Sequence, residues 1–190
     1  GAIVTLICLS DYPLPLYDGD LEAEKGVPAA AGRLVEQFQD HDAVLIVSPE
    51  YNAGISPLLK NTIDWMSRTD GAPFRNQVFA LAAASPGRFG GMRGLMMLRQ
   101  TLGLGLGALI IPEQFLLPGA NRAFNEDGSL GEAANPETFG TMIRALMRSY
   151  FSWLLRPLSI IGVSRPSRIS VSRTRMASGL RELGFWVSSF

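Results

Sequence analysis

One cysteine, Cys8, and one histidine, His41, are present in 190 residues. A lone cysteine cannot close an intramolecular disulfide, so nothing in the chain points to an oxidising compartment and a cytoplasmic location is expected. With one His and one Cys no zinc constellation can be assembled, and no metal site is expected. A Ser-His-Asp triad lacks a credible base, because His41 sits between Asp40 and Asp42 in what reads as a solvated helix-to-strand turn. Net charge is also missing: 17 Lys and Arg balance 17 Asp and Glu. The balance is uneven along the chain, with 11 basic and 16 acidic residues in 1–155 against six and one in 156–190. The acidic body lacks the clustered cations that nucleic-acid binding needs. No run crosses a bilayer either: the apolar stretch Tyr150 to Val163 is broken by Arg156-Pro157 and is too short for about 30 Å of hydrocarbon. No charged segment with a cleavage site precedes Ile3 to Leu9.

What is present suits a globular domain, with 47% hydrophobic and 18% charged residues. Short apolar runs alternate with one-sided helical patterns. Strands are expected at Ile3 to Leu9, Ala43 to Val47, Val78 to Ala84 and Ala108 to Ile111. Helices are expected at Pro28 to Asp40, Pro57 to Arg68 and Gly94 to Leu102, and from the Asn135-Pro136 cap through Tyr150. Continuously apolar strands belong to a parallel sheet covered on both faces. Ala31, Leu34, Val35 and Phe38 mark the inner face of one helix, and Leu58, Leu59, Thr62, Ile63 and Met66 that of another. The fold class is therefore α/β: a doubly wound parallel sheet in a three-layer α/β/α sandwich over residues 1–155. Residues 156–190 form a basic Ser/Arg-rich tail with no sustained period. Pro112 to Gly119 and Asn125-Glu126-Asp127-Gly128 read as loop and turn, as does Tyr17-Asp18-Gly19-Asp20.

The most informative stretch is Ser48-Pro49-Glu50-Tyr51-Asn52. It hangs on the end of a buried strand and leads to a helix that begins at Ser56-Pro57, with Ser as N-cap and Pro at N1. The carboxyl ends of strands are where open α/β sheets bind ligands. A second loop, Ser85-Pro86-Gly87-Arg88-Phe89-Gly90-Gly91, also follows an apolar strand. Gly103-Leu104-Gly105-Leu106-Gly107 is not GxGxxG and precedes a strand, so it is not a dinucleotide fingerprint.

Pro49-Glu50-Tyr51-Asn52, Pro57, Leu59-Lys60-Asn61 and Ile63-Asp64-Trp65 together resemble the signature of the NAD(P)H-dependent FMN reductases, a flavodoxin-like family that includes quinone, azo-dye and chromate reductases. The second loop resembles that family's second flavin loop, and the likeness runs from about Val4 to Leu130. It implies FMN as cofactor, NAD(P)H as cosubstrate, a small-molecule electron acceptor, and a homodimer or homotetramer. It also implies a cofactor site at Pro49, Glu50, Tyr51, Asn52, Ser85, Gly87, Arg88, Gly90 and Gly91. Tyr51 would pack near the ring, Pro49 to Asn52 would offer backbone N–H groups, and Glu50 or Asn52 would fix the loop. Ser85 would hydrogen-bond, the glycines would allow close approach and positive φ, and Arg88 would favour anionic flavin or nucleotide phosphates. No side chain is required as a catalytic acid or base. Lys60, Asn61 and Asp64 read as helix-face and subunit-contact residues, and Trp65 as core or interface. Family members begin with a strand, a phosphate loop and a helix that have no counterpart ahead of Ile3 to Leu9, so a flavodoxin-like fold without its first strand and helix is expected. The alternatives are a flavodoxin-type electron-transfer module and a non-catalytic fragment.

Overall fold

The computed structural model describes residues 3–131 and 134–154. Helices α1 (Gly19–Lys25) and α2 (Ala29–Gln39) are followed by strand β1 (Ala43–Tyr51), the two-residue strand β2 (Gly54–Ile55) and helix α3 (Pro57–Met66). Then come β3 (Val78–Ser85), α4 (Met92–Gln100) with a π turn at its end, β4 (Leu109–Pro118) and α5 (Pro136–Leu154). The sheet order is β2-β1-β3-β4; β1, β3 and β4 run parallel, and β2 pairs antiparallel with the end of β1.

β3 is apolar throughout because it lies between two strands and between two layers of helices. Phe79, Leu81 and Ala83 pack with Leu34 and Val35 of α2, Leu59, Ile63 and Met66 of α3, and Leu95 and Leu98 of α4. The alternate residues Val78, Ala80 and Ala82 pack with Phe139, Met142, Ala145 and Leu146 of α5 and with Phe115 and Leu117 of β4. Successive side chains of a strand point to opposite faces, so a continuous apolar run feeds two cores at once. The α/β/α sandwich is thereby realised. Its helices start where the caps predict: Ser56 Oγ accepts from Leu59 N, and Asn135 Oδ1 from Thr138 N. Asp18 is an N-cap of α1 and not merely a turn residue, accepting from the N–H groups of Asp20 and Leu21. The Asn125 turn is present, closed by Gly128 N to Asn125 O.

Two expected elements change. Ile3 to Leu9 is not a strand; the segment is irregular up to a 3₁₀ turn at Leu9–Asp11, with Ile3 95% exposed. Ile7 and Leu9 still pack on the core, but the segment has no ladder to join. On its side away from β3, β1 is paired, among the described residues, only at Glu50 and Tyr51, by β2. Apolar composition alone does not make a strand; its N–H and C=O groups need partners. The same edge leaves Val47 45% exposed. Conversely, Pro112 to Gly119 is not a loop, because β4 continues to Pro118. A register shift between Phe79 and Leu81 lets the strand absorb Pro112, and Phe115 and Leu117 then return to the core. The tail 156–190 lies outside the described residues.

Candidate functional site

β1 does not end at Val47 but runs through Ser48, Pro49 and Glu50 to Tyr51. The expected first loop is thus a strand end and a hairpin: Glu50 pairs with Ile55, Tyr51 with Gly54, and Asn52 and Ala53 make the turn at φ 48° and 63°. Two consecutive left-handed residues define a type I′ turn, which suits the right-handed twist of a β ribbon. Asn adopts that conformation readily, whereas alanine is strained there. Ala53→Gly is therefore expected to stabilise the fold by about 0.5–1 kcal/mol, read as a higher urea midpoint at unchanged slope.

Ser85 ends β3, and its Oγ accepts from Gly87 N at 3.2 Å. Gly90 N then donates to Gly87 O, and Gly91 caps α4 in a left-handed conformation. Because β1 and β3 are parallel neighbours with Pro49 opposite Ala84, the hairpin and the second loop leave the sheet at the same carboxyl edge. Tyr51 and Ser85 end their strands, and Asn52, Gly87 and Arg88 lie beyond them.

The three glycines have different tasks. A Cβ on Gly90 would lie 2.8 Å from Pro118 N, and one on Gly91 would lie 2.5 Å from Ala83 Cβ. Both have positive φ, so the protein's own backbone and packing require glycine there. Gly87 has no such constraint: a Cβ there would meet only Ser85 Oγ, at 3.6 Å. Of the three, only Gly87 has room for a side chain.

Glu50 carries the strongest electrostatics of the edge. Its side chain is 6% exposed; Oε2 accepts from Gly94 N at 3.0 Å, and Oε1 from Arg93 Nη2 at 2.6 Å. The Gly94 N–H holds the carboxyl below its usual range; burial opposes this shift and Arg93 reinforces it. A lowered carboxyl pKa contributes stability above the unfolded value, and that stability is lost as pH falls through the folded one. Arg93 and Gly94 were not singled out from the sequence. The available signal was a glycine within an otherwise good helical pattern, where close backbone approach is the usual reason. Arg88 stacks on Phe89, with Cζ 4.9 Å from the ring centroid.

In the helix carrying the Lys-Asn-x-x-Asp-Trp string, Lys60 and Asp64 lie on the helix face and Trp65 in the core as expected, while Asn61 is engaged within the chain. Asn61 Nδ2 and Trp65 Nε1 both donate to Pro15 O, at 2.9 and 2.7 Å, and Asn61 Oδ1 accepts from Tyr17 N at 2.8 Å. Trp65 is fully buried, with the Tyr17 ring edge-on at 5.1 Å. Asn61 and Trp65 are thus engaged by this chain's own segment 15–17, and Lys60 pairs with Asp64 on the helix surface. Leu58, expected in the core, is exposed. Met92, Met96 and Met97 of α4 are exposed as well. His41 is more than a solvated turn residue: its ring nitrogens meet Gln37 O and Thr5 Oγ1 at 2.6 and 2.7 Å, anchoring the amino-terminal segment. Tyr150 on α5 donates to Asp42 at the start of β1, and burial, aided by that carboxylate, pushes its phenol up to about 12.

Half-exposed Tyr51 and Phe89, the space at Gly87 and the turn backbone fit a planar amphipathic ring such as the flavin of FMN. A phosphate finds less. The first-turn amide of Gly94 in α4 is taken by Glu50, and that of Leu59 in α3 by Ser56. No cluster of metal-ligating side chains occurs among the described residues. None of the described helices is long and apolar enough to cross a membrane.

A parallel sheet with two loops at one carboxyl edge defines a flavodoxin-like α/β protein. The family comparison is specific: the model of the NADPH-dependent FMN reductases matches residues 1–122, and the chain belongs to that family. It is 40% identical over 134 residues to an NAD(P)H-dependent FMN reductase of Pseudomonas aeruginosa, covering 70% of this chain and 71% of that protein. It is 43% identical over 89 residues to a quinone reductase of Escherichia coli, and that match covers 47% of each protein. Among solved structures it resembles FerB, a flavoenzyme NAD(P)H:(acceptor) oxidoreductase from Paracoccus denitrificans. That likeness has a TM-score of 0.59 at 29% identity, over 73% of this chain and 75% of that one.

Proposed function

We propose that this chain is an NAD(P)H-dependent FMN oxidoreductase that passes electrons to a small-molecule acceptor such as a quinone, an azo compound, free flavin or a metal oxyanion. The carrying observation is the meeting of the hairpin and the second loop at one sheet edge, with room beside Gly87 and half-exposed Tyr51 and Phe89 in the same two loops. When bound, FMN supplies the redox chemistry, taking a hydride from the nicotinamide and releasing electrons to the acceptor. The residues around it bind and orient. Tyr51 and Asn52 offer backbone N–H groups and the Tyr51 ring, Ser85 and Gly87 offer a flat backbone approach, and Arg88 supplies a cation for the reduced flavin or a nucleotide phosphate. Gly90 and Gly91 act on the site indirectly, by fixing where the second loop turns.

The same reading includes a cytoplasmic homodimer or homotetramer. In this reading the exposed Met92, Met96 and Met97 of α4 supply its contact surface, because Asn61 and Trp65 are already engaged within the chain.

Titrating the protein with FMN, followed by flavin fluorescence, is expected to give saturable binding, and NAD(P)H with a quinone is expected to give turnover. Absence of binding overturns the proposal. Binding without NAD(P)H oxidation would instead mark an electron-transfer flavodoxin. Riboflavin is expected to bind within about tenfold of FMN. Charge-assisted bonds contribute roughly 1.5–3 kcal/mol each, so two phosphate bonds would separate the ligands by a hundredfold or more.

A further inference from the structure

Glu50 stands between the two loops without being needed by either one's local geometry. The hairpin is closed by its own backbone pairs and by the Asn52-Ala53 turn. The second loop is shaped by Ser85 Oγ and by Gly90 and Gly91. The Glu50 carboxylate instead reaches across to the first turn of α4, the helix into which the second loop runs, and binds Gly94 N and the Arg93 guanidinium there. Gly94 allows this approach: a Cβ on it would lie 3.1 Å from Gly54 O in the hairpin and 3.4 Å from Glu50 Cβ. The carboxylate therefore adds a polar tie to the close packing of the hairpin on the first turn of α4. It also places a negative charge on the positive end of a helix and against one of the two guanidiniums beside Phe89. Arg88, the other, has no ion pair among the described residues.

We propose that Glu50 is a positioning residue of the flavin site and not a flavin ligand. Its carboxylate sets the spacing of the hairpin and the second loop through Gly94. It also cancels Arg93 and the α4 terminus, so that Arg88 alone decides how strongly the site prefers the anionic reduced flavin. The inference rests on the flavin reading of the preceding section.

The two roles separate by substitution. Glu50→Gln keeps an acceptor for Gly94 N–H but removes the charge, leaving Arg93 and the helix end uncompensated. Glu50→Ala removes both the charge and the tie. Arg93→Ala leaves the carboxylate uncompensated and shifts the electrostatics the other way. The measurements are dissociation constants for oxidised and for dithionite-reduced FMN on the full 190-residue chain, with circular dichroism melts of each apoprotein.

Expected results are as follows. Glu50→Gln binds oxidised FMN within about threefold of the parent and raises the preference for reduced FMN about tenfold, which for a two-electron couple is about +30 mV. Arg93→Ala lowers that preference. Glu50→Ala weakens oxidised FMN tenfold or more. If the parent binds FMN and all three variants keep its reduced-to-oxidised ratio and affinity within twofold, the proposal is overturned while the flavin reading stands. If the parent binds no FMN, both fall. Should a Glu50 variant fail to fold, Arg93→Ala decides alone, since Arg93 is largely exposed and its loss costs little packing: a lowered preference supports the proposal, and an unchanged one overturns it.

Discussion

Gly91→Ala is expected to cost about 3 kcal/mol of stability, whereas Gly87→Val, four residues earlier in the same loop, is expected to cost almost nothing and yet weaken FMN binding about tenfold or more. At Gly91 two penalties add. The residue sits at φ +88°, and its new Cβ would lie 2.5 Å from Ala83 Cβ, inside the central strand. A left-handed alanine costs roughly 1–2 kcal/mol and an overpacked core 1–3. Neither neighbour is the free end of a flexible side chain, so relief requires that α4 move off β3. At Gly87 φ is not positive and the nearest atom to an added Cβ is Ser85 Oγ at 3.6 Å, so the fold does not register the change. Only a ligand occupying that space does. Urea unfolding and flavin titration of both variants check the pair. A Gly87→Val protein with the parent's FMN affinity would show that the flavin does not approach the second loop there.

The second large effect is expected at Trp65. Trp65→Ala should lose about 4 kcal/mol, which is much of the 5–15 kcal/mol that holds an ordinary domain together. The indole is fully buried, meets the edge of Tyr17, and donates to Pro15 O. Trp65→Phe keeps most of the packing and loses the donor, with an expected cost of about 1–2 kcal/mol. Denaturant unfolding gives both values, and hydrogen exchange at Leu16 and Tyr17 reports whether segment 15–17 detaches first. Equal losses for the two variants would mean that the hydrogen bond, and not the ring, holds that segment.

Much of the architecture is legible because periodicity and caps are local properties. The continuous apolar run of β3 announces a strand covered on both faces, and Ser56-Pro57 and Asn135-Pro136 start the helices they predict. The loops after β1 and β3 were also placed at one edge, since parallel neighbours put their carboxyl ends together. Ile3 to Leu9 departs from its strand-like composition for a physical reason. Its composition is that of a strand, but strand formation depends on a partner's edge, and the edge of β1 nearby is paired, among the described residues, only at its far end. Pro112 misled in the opposite sense: a proline that ends many strands is accommodated here by a register shift in β4.

The sequence by itself determined the α/β class, the alternation of the main strands and helices from α2 onward and the family likeness, because each is written in residue types at short spacing. Tertiary structure alone decided what the individual side chains do. Glu50, read as part of a flavin loop, turns to the first turn of α4, 43 and 44 residues away in sequence. Asn61, read as a helix-face and subunit-contact residue, and Trp65, read as core or interface, hold Pro15 and Tyr17, 44 to 50 residues away. Gly90 and Gly91 answer to β4 and β3, and Gly87 only to the space in front of it. A glycine, a carboxylate or an indole states in sequence what it is able to do; which partner it meets depends on distances that exist only after the sheet and its helices have packed.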